Sequence, residues 1–353
     1  MSSSNEHLLI IRFSALGDVA MMVPVVYSLA TQYPHLRITV LSRGFARPFF
    51  DGLAPNVGFM EVDLKKEMKG ITGLNALYRR LKAKHFTAVA DMHGVLRTHY
   101  LRQRFLIDGY HVAHIDKHRT GKRRLVRQKD KQMVQLPTSF QNYADVLSRL
   151  GYPVRLEFKS IFPPQGGNLR LLSPADLQEK KTFEKWIGVA PFAAHQGKVL
   201  EPEKTEQVVR MLLQKHPNAR IFLFGGGRKE RETFSRWCAD IPRCFAAADL
   251  LKGLPEELIL MSHLDVMVSM DSANQHLASL VGTPVVSVWG ATHPYAGFLG
   301  WGQTDANIVQ VSLPCRPCSI YGNKPCVRGD WACLRDITPE MVIERVEYVL
   351  DHR

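Results

Sequence analysis

The sequence predicts an α/β protein of two domains, each a parallel sheet with helices between its strands. Three observations carry this. Short apolar, β-branched runs alternate with segments of helical spacing. The alternation occurs in both halves of the chain, at Leu8–Ile11, Arg37–Leu41 and Thr87–Ala90 and again at Trp186–Ala190, Ile221–Phe224 and Val285–Trp289. It is interrupted once, by the Pro- and Gly-rich linker Phe162–Asn168, which places domains at residues 1–165 and 166–337 before a closing helix in 338–353. With 353 residues, 45% of them hydrophobic, the chain has enough apolar surface for two cores of ordinary domain size.

Taken in order, Leu8–Ile11 is a strand running into Arg12–Asp18, and Val19–Ala30 reads as a helix with Pro24 near its start. Gly17 and Asp18 therefore occupy the first strand-to-helix turn. Ligands of open α/β sheets bind at the carboxyl ends of strands, so Asp18 is either a well-placed carboxylate or a helix cap. Thr87–Ala90 leads into Asp91, Met92, His93 and Gly94, with Arg97 one turn into the next helix. A strongly basic run from Arg97 to Lys131 includes Lys122, Arg123 and Arg124. It is a solvated loop or an anion-binding surface, and its aromatics are not spaced for stacking bases. Ser139–Leu150 has helical spacing and stops at Gly151.

In the second half, Trp186–Ala190 leads to a turn carrying Lys198, and Ile221–Phe224 leads to Gly225, Gly226 and Gly227 with Glu230 just beyond. The segment Val268–Trp289, VSMDSANQHLASLVGTPVVSVW, reads as strand, turn, helix, strand. Its Asp271-Ser272 pair favours a helix start, where the amides of Ser272, Ala273 and Asn274 and the helix dipole offer an anion site if they do not merely cap. Three such turns on one sheet edge suggest a nucleotide pocket. Cys315, Cys318, Cys326 and Cys333 follow the spacing C-x2-C-x7-C-x6-C and read either as a structural zinc site or as buried free thiols.

Charge and hydropathy exclude several classes. No apolar run approaches the roughly 18 residues of a membrane helix, and the polar start Met1–His7 lacks the features of a secretory signal, so cytoplasmic residence is expected. The net charge is +13, and residues 1–165 hold 25 Lys+Arg against 12 Asp+Glu, whereas residues 166–353 hold 21 of each. The basic half calls for an anionic partner: a phosphorylated substrate, an anionic membrane surface or nucleic acid.

Four stretches resemble a known family. RFSALGDV (Arg12–Val19), ADMHGVLRT (Ala90–Thr98), GKVLEPE (Gly197–Glu203) and DSANQHLASLVGTPVVSVWGATHP (Asp271–Pro294) are similar to the lipopolysaccharide heptosyltransferases of glycosyltransferase family 9. The resemblance implies a GT-B fold, two Rossmann-like parallel-sheet domains facing across a cleft, with a C-terminal helix crossing back to the first domain. It also implies inverting transfer of a sugar, heptose from ADP-heptose being the expected donor, to the inner core of a phosphorylated, lipid-linked oligosaccharide at the inner face of the inner membrane. On this reading Asp18 is the catalytic base and Lys198 stabilises the leaving diphosphate. Gly225, Gly226, Glu230, Asp271, Ser272, Ala273, Asn274 and His276 hold the donor, with Glu230 at the ribose. His93, Arg97, Lys122, Arg123 and Arg124 meet the acceptor and the anionic membrane surface. No cofactor is required for catalysis, a structural zinc on the four cysteines stays open, and no nucleic-acid partner is expected. The family often carries Gly where Ala273 stands and Gln where His93 stands. The competing classes are transfer of a different nucleotide sugar to another surface glycan, and a non-catalytic binder of nucleic acid or anionic membrane.

Overall fold

A computed structural model describes residues 6–352. Residues Met1–Asn5, which contribute to the expectation that no signal segment is present, lie outside the described residues. Two sheets are present, each belonging to its own compact unit.

The first sheet contains β1 (His7–Ile11), β2 (Arg37–Ser42), β3 (Val57–Glu61), β4 (Ala88–Asp91) and β5 (His111–His114), in the order β3-β2-β1-β4-β5. Every pairing is parallel, with Leu9 of β1 opposite Thr39 on one side and Val89 on the other. A parallel sheet covered on both faces explains why β1 is buried along its whole length and reads as a continuous apolar run. One core cluster gathers Leu9, Ile11, Phe13, Val89, Leu101 and Phe105. The expected helix Val19–Ala30 is two helices, Leu16–Ala20 and Val23–Gln32. Pro24 lies in the first turn of the second, where the amide it lacks has no intrahelical partner to lose.

The second sheet has β6 (Trp186–Ala190), β7 (Arg220–Leu223), β8 (Cys244–Ala246), β9 (Val266–Met270), β10 (Val285–Val288) and β11 (Ile308–Val309), ordered β11-β10-β9-β6-β7-β8 and parallel throughout. The turns after β6, β7 and β9 therefore open on one edge, as the sequence suggested. The helix Ala273–Leu280 ends in Gly282, whose φ of +78° is a left-handed conformation suited to glycine, and the Thr283 amide returns to the Ala278 carbonyl at 3.0 Å.

The units do not follow the expected boundary at residue 165. The first comprises the chain up to His118 together with Pro137–Phe158, and the second comprises Arg119–Leu136 together with everything from Lys159 onward. The reason is packing. Leu125 is fully buried, the Leu136 amide bonds the Tyr295 carbonyl at 2.9 Å, and the Lys131 ammonium donates to the carbonyls of Cys315 (2.7 Å) and Pro317 (2.9 Å). The charge excess is therefore shared: 17 Lys+Arg against 11 Asp+Glu in the first unit, and 29 against 22 in the second. The C-terminal helix Pro339–Asp351 also departs from expectation. Its buried face, Val342, Ile343, Val346 and Val349, is built into the core of the second unit rather than reserved for the first, and it packs on the helix Pro202–Lys215. Among the described residues no helix is long and apolar enough to cross a membrane.

Candidate active site

In the first unit the carboxyl end of β1 delivers Asp18. Its Oδ2 lies 2.9 Å from Nη2 of Arg12 and accepts the Ala15 amide at 3.1 Å, while the side chain keeps 32% of its surface exposed. The carboxylate is oriented yet open to a substrate. Arg12 is buried and also donates to the Met92 carbonyl. Burial works against its charge, but Tyr143, whose ring it stacks on at 5.5 Å, and Asp18 outweigh that and raise its pKa. The Tyr143 phenol is pushed up by burial, remains protonated and donates to the Asp18 carbonyl at 3.2 Å.

His93 sits beside this turn. The Phe13 amide points at Nδ1 (3.5 Å), leaving Nε2 to meet the Ser14 hydroxyl at 3.3 Å. Burial, reinforced by the charge of Arg12, lowers its pKa to about 4, so it acts near neutrality as an uncharged hydrogen-bonding group. The turn that holds it is fixed by Asp91, fully buried, whose Oδ1 accepts the amides of His93 (3.0 Å) and Gly94 (2.9 Å) and whose Oδ2 faces Arg102. Arg97 is exposed on the helix Leu96–Ile107.

In the second unit Lys198 ends a short turn after β6 and its Nζ lies 2.9 Å from Oδ2 of Asp271. Asp271 is almost wholly buried, and its Oδ1 accepts from Gln275 at 3.1 Å. Ser272 occupies the N-cap of the helix Ala273–Leu280, but its side chain makes no capping hydrogen bond; its hydroxyl faces that of Ser269 at 3.3 Å. Capping by Ser272, one of the two readings of this turn, is therefore not what the side chain does. The helix start, with the amides of Ala273 and Asn274, keeps its capacity for an anion beside a lysine. His276 is buried one turn along. Thr292 is fully buried, and its hydroxyl has no hydrogen-bond partner among the described residues.

Glu230, expected at the ribose, stands in the first turn of the helix that follows the glycines. Its Oε2 accepts the amides of Gly226 (2.7 Å) and Gly227 (2.9 Å), so at least one carboxylate oxygen is committed to starting its own helix, Arg228–Asp240. Gly225 is tight against it: a Cβ there would lie 2.7 Å from the same oxygen.

The basic residues expected to act together are not in one unit. His93 and Arg97 belong to the first, whereas Lys122, Arg123 and Arg124 lie on the helix Arg119–Leu125 of the second, where Lys122 stands over the rings of Phe298 (5.0 Å) and Tyr321 (5.6 Å). The four cysteines are free thiols. Cys318 and Cys333 are buried in a small cluster with Ala291 and Leu334, and burial pushes both thiols up, Cys333 to about 11. Among the described residues no group of three or more His, Cys, Asp or Glu side chains is placed to hold a metal ion.

Sequence reasoning passed over two parts of this region. Arg316, 5% exposed, donates to the carbonyls of Trp289 and Thr292, Gly290 and Val311, and to the Gln310 amide oxygen, fastening the loop that follows β10. Gly322, at φ +73°, brings its carbonyl to the Gly197 amide (3.3 Å), and a Cβ on it would lie 2.6 Å from Cγ of Lys198. Only the cysteines drew attention to this loop, and nothing in their spacing points to a neighbour of Lys198.

Two Rossmann-like parallel-sheet units, one presenting a carboxylate and the other a lysine beside an uncapped helix start, define the GT-B class of glycosyltransferase. Solved structures share this fold along the whole chain. A glycosyl transferase of family 9 from Veillonella parvula superposes with a TM-score of 0.72 at 18% identity, covering 100% of this chain and 99% of that one. The E. coli ADP-heptose lps heptosyltransferase II gives 0.69 at 18% identity (98% and 99% covered), and E. coli heptosyltransferase WaaC with ADP gives 0.66 at 16% (97% and 99%). The chain belongs to glycosyltransferase family 9 (heptosyltransferase), whose sequence profile matches residues 74–327. Among characterised relatives, lipooligosaccharide heptosyltransferase 2 of Campylobacter jejuni is 24% identical over 205 residues, 56% of this chain, and the match spans only 59% of that protein's length. The lipopolysaccharide core heptosyltransferase OpsX of Haemophilus influenzae is 24% identical over 300 residues, 82% of this chain and 80% of that one.

Proposed function

We propose that this protein transfers heptose from ADP-heptose, with inversion at the anomeric carbon, to the inner-core oligosaccharide of a phosphorylated, lipid-linked acceptor. The observation that carries the reading is the pairing of Lys198 with Asp271 at a helix start that its N-cap serine leaves uncapped. Family membership and the likeness of the fold to heptosyltransferases support it.

Asp18 accepts the proton of the acceptor hydroxyl as that oxygen attacks the anomeric carbon on the face opposite the diphosphate. The new carbon–oxygen bond forms as the bond to the diphosphate breaks, and its electron pair leaves on the phosphate oxygen of ADP. Lys198 and the amides of Ala273 and Asn274 meet that charge, with Asp271 holding the ammonium in place until the donor arrives. Gly225 and Gly226 allow close approach of the nucleotide, and neutral His93 offers a hydrogen bond to the acceptor. The chemistry on this reading needs no metal or other cofactor. A lipid-linked acceptor puts the enzyme at the cytoplasmic face of the inner membrane as a peripheral protein, drawn by its basic surface to anionic lipid.

The test is turnover of a panel of ADP-, UDP- and GDP-sugars with a lipid-linked inner-core acceptor, by the natural sequence and by Asp18→Ala and Lys198→Ala. ADP-heptose is the donor used, and each substitution lowers kcat by about 100-fold or more, the range for loss of a general base or a leaving-group charge. Full turnover in either variant, or preference for a UDP- or GDP-sugar, overturns the proposal.

A further inference from the structure

Two of the six free cysteines, Cys238 and Cys244, lie apart from the loop that holds the other four. Cys238 is in the last turn of the helix Arg228–Asp240, and Cys244 opens β8, the strand at one end of the second sheet. Helix and strand pack on each other. Cys244 is part of the apolar cluster that contains Phe234, Trp237 and Ile241, and Cys238 packs against that cluster.

The short connection between the two, residues 239–243, is held at both ends. The Ile241 amide bonds the Trp237 carbonyl at 2.8 Å as the helix finishes. Arg243 then turns the chain at φ +62°, and its guanidinium donates to the carbonyls of Ala219 (2.8 Å) and Asn218 (2.9 Å). This sets Cys244 opposite Ile221 of β7 and brings the two thiols together. The Cys244 thiol donates a hydrogen bond to the Cys238 sulfur, which also accepts the Ala246 amide. Sulfurs already in hydrogen-bond contact need little beyond side-chain rotation to bond covalently.

The pair is asymmetric. Cys238 is partly exposed, whereas Cys244 is 4% exposed and lies behind it. The hydrogen bond from Cys244, as the leading cause, lowers the pKa of Cys238, and the same bond together with burial raises that of Cys244. The reachable sulfur is therefore the one that ionises more readily, and a second thiol stands next to it. Thiol–disulfide exchange uses this arrangement, an accessible attacking thiolate backed by a resolving thiol.

We propose that Cys238 and Cys244 form a redox modification site, closed into an intrachain disulfide by a low-molecular-weight disulfide and reopened by a thiol. The Cys238 thiolate attacks one sulfur of the small disulfide, forming a mixed disulfide and displacing one thiolate. Cys244 gives up its proton to that thiolate and attacks the Cys238 sulfur, and the second small thiolate leaves and takes the proton that Cys238 had released. Two protein thiols are oxidised by two electrons, and the small disulfide is reduced to two thiols. The new bond ties the end of the helix to β8, a strand of three residues at the end of the sheet order. β8 lies two places from β6, whose turn carries Lys198, so the site is independent of the proposed transferase function and is read without an activity assay.

The experiment treats the reduced full-length protein with glutathione disulfide under native conditions, followed by non-reducing tryptic mass spectrometry and thermal unfolding. The expected product is residues 237–243 linked to residues 244–252, with glutathione absent from both. Closing a ring of this size raises the unfolding temperature of the second unit by about 3–8 °C, and dithiothreitol reverses both changes. Cys244→Ala stops the reaction at glutathione bound to Cys238, and Cys238→Ala leaves Cys244 unmodified. The natural sequence alone decides the proposal if either variant fails to fold. Absence of the linked pair, retention of glutathione on Cys238, linkage of either cysteine to another partner, or a link that lowers the unfolding temperature overturns it.

Discussion

Gly322→Ala isolates the part of the second unit that positions Lys198. The glycine adopts φ +73°, where an alanine costs about 1 kcal/mol more, and its new Cβ would lie 2.6 Å from Cγ of Lys198. Ordinary contact begins near 3.4 Å. The clash falls on the base of the lysine stem, so the side chain must shift by close to 1 Å and its ammonium leaves the position proposed for the diphosphate contact. A displacement of that size costs up to about 100-fold in rate. Gly329 in the same loop supplies the control: its φ is +81°, but no atom lies within 4 Å of a Cβ there. Gly329→Ala therefore carries the same backbone strain without touching Lys198. In steady-state sugar transfer combined with thermal unfolding, both variants lose about 1 kcal/mol of stability, whereas kcat/KM falls about 10- to 100-fold in Gly322→Ala alone. Equal activity losses in the two would refute steric positioning of Lys198, as would full activity in Gly322→Ala.

Three further outcomes follow from other sites. His93 and His293 are each lowered by burial to about 4 from the ordinary 6.5. The unfolded chain therefore binds protons that the fold does not, and stability is complete above pH 6.5 and declines toward pH 4, by about 1–2 kcal/mol per histidine after allowing for partial exposure. Denaturant unfolding across that range checks this, and His93→Gln reduces the slope. Arg316→Met removes a buried cation on which the carbonyls of the loop after β10 depend, leaving several of them without donors. A loss of roughly 3–5 kcal/mol is expected in urea unfolding. EDTA treatment is expected to leave sugar transfer unchanged if, as proposed, lysine and backbone amides meet the diphosphate charge, and loss of activity restored by a divalent ion would contradict that proposal.

Strands such as β1, β6 and β9 were legible because they lie in the middle of parallel sheets, where both faces are buried and the apolar run is unbroken. The strands β3, β5, β8 and β11 were not. They are peripheral and short or partly exposed; β5 reads HVAH, with both histidines exposed, inside a basic stretch that hides it. Asp18, Lys198 and Asp271 were legible as candidate site residues because a strand-to-helix turn places them on a predictable edge. Their partners were not, since the contact of Arg12 with Asp18 or of Gly322 with Lys198 depends on loop paths that no periodicity records. Glu230 shows the converse: a carboxylate three residues into a glycine turn can serve a ligand or its own helix, and only the geometry assigns Oε2 to the amides of Gly226 and Gly227. The run Lys122–Arg124 was read with the sequence that surrounds it, but Leu125 and Leu136 tie its segment to the second unit.

That segment limits how the protein can be recombined. Because Arg119–Leu136 leaves the first unit and belongs with the second before the chain returns at Pro137, neither unit is a continuous stretch of sequence. A single splice in the linker near residue 165 exchanges the second unit without the segment that supplies Lys131 to the Cys315 and Pro317 carbonyls. Chimeras between relatives of different specificity therefore need two grafts, and natural exchange of the two halves by one crossover is disfavoured for the same reason.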